Sequence, residues 1–156
     1  MTTTELFFNA IREKDFDTLK SFVNDDPNIV NSQDSRGFTP LIFATYFDNI
    51  EAAKLFLLNQ AEINTQDHSG NTALIGVCFK GNTEIASLLI QNGANIEVKN
   101  NIKSTPLMFA STYNNQSIIE LLLKHGAMKD CKDLHGKTAY DHANEKGFDH
   151  LLKLLR

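Results

Sequence analysis

The stretch that decides the fold reads DSRGFTPL and runs from Asp34 to Leu41. Related stretches return at a constant step of 33 residues, as DHSGNTAL at 67–74, NNIKSTPL at 100–107 and DLHGKTAY at 133–140. A period of about 20 to 50 residues is typical of repeat architectures and outweighs local secondary-structure patterns. The chain therefore divides into whole repeats at 34–66, 67–99 and 100–132, between an N-terminal capping unit at 1–33 and a C-terminal one at 133–156.

Each repeat is predicted to contain a turn, two helices and a loop. In the repeat at 34–66, Thr39 and Pro40 begin the first helix, because the hydroxyl accepts an unpaired helical N–H and proline has a preset φ. This helix is expected to end near Asp48, where the other repeats carry Gly or Asn, which tolerate a left-handed backbone. Apolar residues then recur at helical spacing. Because neither helix can bury its apolar face alone, the repeats must stack.

This pattern resembles the ankyrin repeat family. The resemblance rests on the motif at 34–41 and on three partial matches, namely Thr72-Ala73-Leu74, Thr105-Pro106-Leu107 and Gly93-Ala94-Asn95. It covers essentially the whole chain and implies an all-α ankyrin-repeat solenoid that forms a single domain over 1–156. It also implies β-turn loops that protrude from the helices, a concave recognition face and a function in binding other proteins.

Two positions depart from the family signature. Its histidine, which usually makes a polar network with neighbouring turns, is replaced by Ile42, Ile75, Met108 and Asp141. Lys103 occupies a turn position at which the other repeats have glycine. If this turn needs a positive φ, Lys103 carries backbone strain.

A third departure is Gly76, which lies in the middle of a predicted helix. Glycine at such a position costs about 1 kcal/mol relative to alanine. The equivalent residues one repeat away are Phe43 and Phe109. We interpret the missing side chain as room for these two large rings.

The resemblance also implies where a partner binds, because ankyrin contacts usually come from the turn tips and the solvent-facing ends of the first helices. The helix ends carry Tyr46, Phe47, Phe79, Lys80, Thr112 and Tyr113. The turn tips carry Arg36, Phe38, Ile102 and Leu134. Since stacked helices lie about 8–10 Å apart, the aromatic rings are expected to form one continuous patch typical of an interface. The alternative is that single rings only cover the groove between repeats.

No residue pattern predicts an enzyme, a metal site or a cofactor. Gly136-Lys137-Thr138 looks like the end of a phosphate-binding loop, but Cys131 stands where that motif needs its first glycine. The histidines of the last repeat lack the spacing of zinc ligands. Cys78 lies among apolar helical residues with no histidine nearby, so we interpret it as a packing residue rather than a nucleophile.

Composition narrows the class of protein further. The chain has 156 residues, 42% of them hydrophobic, and a net charge of −4 with two cysteines. It is too apolar for a disordered tail, yet no apolar run approaches the ~18–20 residues that cross a bilayer. The negative charge argues against a nucleic-acid partner. Because the first ten residues contain no Lys or Arg, they do not resemble a secretory signal, and we expect a cytoplasmic protein.

These observations favour a non-catalytic module that binds another protein. The more specific form of this hypothesis is that the module regulates or inhibits an enzyme or a toxin. The alternative is a structural subunit that self-assembles through a leucine-rich last helix. That helix contains Leu151, Leu152, Leu154 and Leu155. We expect these leucines to pack on the apolar residues of 118–122 and to leave at least one partly exposed. The sequence favours a monomer, with weak self-association through this helix as the alternative.

Overall fold

The computed structural model describes residues 1–156 and contains ten α-helices and no strand, as the repeat predicts. The helices are α1 (Thr3–Glu13), α2 (Phe16–Asp25), α3 (Pro40–Tyr46), α4 (Ile50–Leu58), α5 (Ala73–Lys80), α6 (Thr83–Gln91), α7 (Pro106–Thr112), α8 (Gln116–Lys124), α9 (Ala139–Glu145) and α10 (Asp149–Leu155). A short 3₁₀ helix covers Pro27–Asn31. None of these helices is both long and apolar enough to span a membrane.

The helices form two layers. The first helices of the repeats (α1, α3, α5, α7 and α9) pack closely on one another, whereas the second helices (α2, α4, α6 and α8) touch more loosely. The stack therefore curves, with the first helices and the turns on its inner face. Close packing in this layer depends on small residues at one recurring position, which are fully buried: Ala44, Val77, Ala110 and Ala143.

Each turn is held by the side chain at its first position. In the turn at 34–38, Asp34 Oδ1 accepts hydrogen bonds from the backbone N–H groups of Arg36 and Phe38, both at 2.9 Å. The same pair of bonds recurs at Asp67, Asn100 and Asp133. Successive turns are also joined through the backbone, for example by the His68 N–H, which donates to the Arg36 carbonyl at 3.0 Å. Because of these bonds the turns form a continuous rim along the inner face.

The predicted beginning and end of the first helices are confirmed. The Thr39 hydroxyl accepts from the Ile42 N–H at 3.2 Å, and a threonine does the same at the start of α5, α7 and α9. Beyond each helix end one residue has a left-handed backbone, with φ of 51° at Asp48, 85° at Gly81, 59° at Asn114 and 75° at Gly147.

The strain expected at Lys103 is present, because its φ is 59° where Gly37, Gly70 and Gly136 have similar positive values. A left-handed backbone costs an L-residue with a side chain about 1–2 kcal/mol, and glycine avoids most of that cost. We therefore expect Lys103→Gly to raise the free energy of unfolding by about 1 kcal/mol in urea titrations.

The matched control is Gly136→Ala at the equivalent position of the last turn. Its φ is +74° and no atom lies within 4 Å of an added Cβ, so alanine there adds only the backbone cost. We expect this variant to lose about the stability that Lys103→Gly gains. A Lys103→Gly protein less stable than the parent would contradict the assignment of strain.

One apolar core of 34 buried residues runs through all the repeats. Leu151 and Leu155 of α10 belong to it, together with Ile118, Ile119 and Leu122 of α8. The other two leucines of α10, Leu152 and Leu154, are half-buried. The last helix therefore packs inward and leaves part of its apolar surface at the end of the stack, as the sequence predicts.

Candidate protein-binding surface

The inner face carries half of the ten large hydrophobic residues that the chain exposes. Five of the residues predicted for partner binding are large hydrophobic side chains that keep 44–59% of their surface exposed: Tyr46, Phe79, Ile102, Tyr113 and Leu134. They belong to the ends of the first helices and to the rim of turns. Clustered apolar side chains of this size are uncommon on the surface of a monomer unless they contact another molecule.

The remaining predicted residues differ in their surroundings. Arg36 and Lys80 are exposed, whereas Phe38, Phe47 and Thr112 are half-buried. The Phe47 ring packs on Phe43 with a centroid distance of 4.8 Å. The Thr112 hydroxyl donates to the Met108 carbonyl of its own helix at 2.8 Å. Packing and local hydrogen bonding thus account for Phe47 and Thr112, and a binding role for either residue stays a prediction.

The aromatic rings do not form the single continuous patch that was expected. Phe79 and Tyr113 meet edge to face with centroids 4.6 Å apart, while Tyr46 contacts Phe47 at 5.2 Å. No ring–ring contact joins the two pairs. The Lys80 ammonium instead lies 5.3 Å from the centroid of the Tyr46 ring.

An apolar cavity of about 180 Å³ lies between these pairs. Six hydrophobic residues line it: Phe38, Ile42, Tyr46, Ile75, Phe79 and Phe109. Ile42 and Ile75 stand where the family signature has histidine, so two departures from the signature make the cavity apolar. The sequence contained that signal, but only the stacking of neighbouring repeats shows that these side chains face one space.

Gly76 also lines this cavity, and the interpretation of its missing side chain was wrong. The only atom near an added Cβ is a methyl carbon of Thr45 at 3.9 Å, an ordinary contact distance. The rings of Phe43 and Phe109 therefore do not require glycine here. The absent side chain leaves the cavity open.

Two cations beside the cavity, Arg36 and Lys80, are paired with carboxylates of the same chain. The Arg36 guanidinium lies 4.2 Å from the Phe38 ring centroid and 2.9 Å from Asp34 Oδ2, and Lys80 lies 3.8 Å from Asp48. Burial raises the pKa of Asp34, but hydrogen bonds from Phe38 and Arg36 outweigh it and hold that pKa below its ordinary value. Asp34 therefore stays charged and paired.

Asp67 is the lining carboxylate that differs from its equivalents. Its Oδ1 accepts from the N–H groups of Ser69 and Asn71 at 2.8 and 2.9 Å, but its Oδ2 accepts no hydrogen bond from the chain. By contrast, Asp133 Oδ2 lies 2.7 Å from His142 Nε2. Burial raises the pKa of Asp133. Hydrogen bonds from the backbone and from His142 outweigh this effect and hold the pKa below its ordinary value. Asp67 lines the cavity, and its Oδ2 has no hydrogen-bond partner among the side chains of this protein.

The residues considered as a nucleophile, a phosphate-binding loop or metal ligands lie in structural positions. Cys78 is fully buried, and burial raises the pKa of its thiol. Residues 136–138 form a turn and a helix start, where the Thr138 hydroxyl accepts from the Asp141 N–H at 3.3 Å. His150 lies 2.7 Å from Asn114 Oδ1, and no three His, Cys, Asp or Glu side chains come together as metal ligands.

The fold and its inner face define a helical repeat scaffold with exposed apolar side chains along one face. A family model described as ankyrin repeats (3 copies) matches residues 7–100 and again residues 77–156. The chain therefore belongs to the ankyrin repeat family, whose members are generally protein–protein interaction modules. No curated protein matches the chain.

Proposed function

We propose that this protein is a non-catalytic module that binds a partner protein on its inner face. The observation that carries the proposal is the group of exposed apolar side chains, from Tyr46 through Phe79 to Tyr113, around an open apolar cavity. The turn tips extend this surface, because Leu134 donates its N–H to the Ile102 carbonyl at 3.0 Å and both side chains are exposed. Rigid aromatic anchors around a pocket are typical of interface hot spots.

The distribution of charge supports one orientation of the partner. The repeats from first to last carry net charges of −3, −2, −1, +2 and 0. A partner with the opposite gradient would be steered onto the face in a single direction, which affects the association rate more than the affinity. A surface of this kind suits a regulatory or inhibitory partner that covers a site on an enzyme or toxin.

Alanine at Phe79 or Tyr113 tests the proposal. Each truncation is expected to weaken capture of the partner from a lysate of the source cells about thirtyfold, the effect of losing a hot spot of about 2 kcal/mol. The melting temperature is expected to change little, because both side chains are nearly half exposed. The readouts are quantitative capture and thermal unfolding of the same preparations.

Leu58→Ala is the matched control, since Leu58 is 82% exposed at the end of a second helix and away from the inner face. Its capture is expected to equal that of the parent protein. If Phe79→Ala and Tyr113→Ala collapse the melting temperature while the remaining folded protein still captures the partner, the rings belong to the core and the proposal is wrong.

Self-assembly through the last helix is the second candidate. It is favoured by one observation, the half-buried Leu152 and Leu154 at the end of the stack. The burial of Leu151 and Leu155 in the protein's own core leaves little surface for this contact. Sedimentation of the purified protein separates the candidates, since self-assembly requires a mass that rises with concentration.

A further inference from the structure

We infer that the cavity beside Gly76 binds a basic side chain of the partner, Lys or Arg, with its apolar stem among the rings and its charge at Asp67. The inference rests on the proposed function, because it names the chemistry of the residue that the inner face receives.

The walls suit a long side chain that ends in a cation. Ile42 and Ile75 supply aliphatic surface for the stem, and the cavity of about 180 Å³ is of the size of one large side chain. Tyr46, Phe79 and Phe109 supply aromatic rings, whose faces attract an ammonium or guanidinium group. The Lys80 ammonium of the chain already lies over Tyr46, so Phe79 and Phe109 are the rings that the partner's cation would meet.

The charges around the cavity select a cation over a neutral anchor. Arg36 and Lys80 are paired with Asp34 and Asp48, so their charges are compensated within the chain. Asp67 Oδ2 has no such partner, although its Oδ1 is held in place by two backbone N–H groups. The repeats at 1–33, 34–66 and 67–99 carry −3, −2 and −1, a total of −6, so the wider field also attracts a positive group.

Small probes test the inference without knowledge of the partner. n-Butylammonium reproduces the end of a lysine side chain, and n-butanol is its neutral counterpart of the same length. We expect n-butylammonium to shift the amide resonances of Gly76 and Asn71 saturably in NMR titrations, with an affinity about fivefold above that of n-butanol.

Two variants locate the binding. Asp67→Asn keeps an oxygen for the turn, as Asn100 does in the next repeat. It is expected to lower the n-butylammonium affinity toward that of n-butanol, because only the attraction of the rings remains, and to leave the n-butanol affinity unchanged. Gly76→Leu fills the cavity and is expected to abolish the response to both probes. Urea unfolding of each variant confirms that it is folded.

Three results would overturn the inference. They are a failure of n-butylammonium to saturate, an equal or higher affinity for n-butanol, and an unchanged n-butylammonium affinity in Asp67→Asn. Each leaves the proposed function intact if Phe79→Ala still loses the partner, because the face would then bind through an apolar anchor. If Phe79→Ala still binds the partner while n-butylammonium binds the parent protein, the cavity accepts a cation but the partner does not depend on the inner face. The proposed function then fails.

Discussion

Gly70→Ala is expected to lower the free energy of unfolding by about 3 kcal/mol or more, from backbone strain and overpacking together. Gly70 has a φ of +80°, and a Cβ there would lie 2.7 Å from the backbone nitrogen of Asn101 and 3.0 Å from the Cα of Asn100. The neighbouring turn cannot move away freely, because the Asn101 N–H donates to the Ser69 carbonyl and its side chain donates to the His68 carbonyl.

Gly93→Ala separates the two causes of this loss. Gly93 has a φ of +89° with no atom within 4 Å of an added Cβ, so alanine there is expected to cost only the backbone strain of about 1–2 kcal/mol. Urea titrations of both variants measure the difference. Equal losses in the two variants would show that the contact between turns is not tight.

Gly76→Leu is expected to weaken partner binding about a hundredfold, because its side chain excludes the anchor and the anchor's contacts are lost. The same change is expected to raise the free energy of unfolding by about 1 kcal/mol, since glycine in a helix interior is unfavourable. The Cβ of the new side chain meets only the Thr45 methyl carbon, at 3.9 Å, and its remaining atoms enter the cavity of about 180 Å³. Urea unfolding measures the stability, and titration with the captured partner measures the affinity.

The fold could be predicted from the sequence because each element depends on local chemistry that recurs every 33 residues. Thr39 and its equivalents begin the first helices, and the left-handed residues after them, such as Asp48 and Asn114, end them. The strain at Lys103 was likewise visible, since glycine at the equivalent turn positions marked a positive φ.

Which residues are exposed on the inner face could also be predicted from the sequence. Tyr46, Phe79 and Tyr113 fall at the helix ends that point away from the stack, and all are exposed. The contacts among these rings could not be predicted from the sequence, because whether two rings meet depends on side-chain packing between repeats. The half-buried position of Phe47 on Phe43 follows from such packing and not from its place in the repeat.

The cavity could not be predicted because it belongs to no single repeat. Its walls come from three repeats, and it exists because Gly76 lacks the side chain that Phe43 and Phe109 have at the equivalent position. Asp67 looked like its equivalents in sequence, but the absence of a partner for its Oδ2 appears only when the neighbouring side chains are placed.

The most direct test of the inner face as the binding surface is the affinity of the captured partner for Gly76→Leu measured beside Gly76→Ala. Both variants gain the same helical preference, but alanine leaves most of the cavity open. The result we predict is a loss of about a hundredfold for Gly76→Leu and an affinity close to that of the parent protein for Gly76→Ala. Undiminished binding of the partner by a folded Gly76→Leu protein would contradict the account.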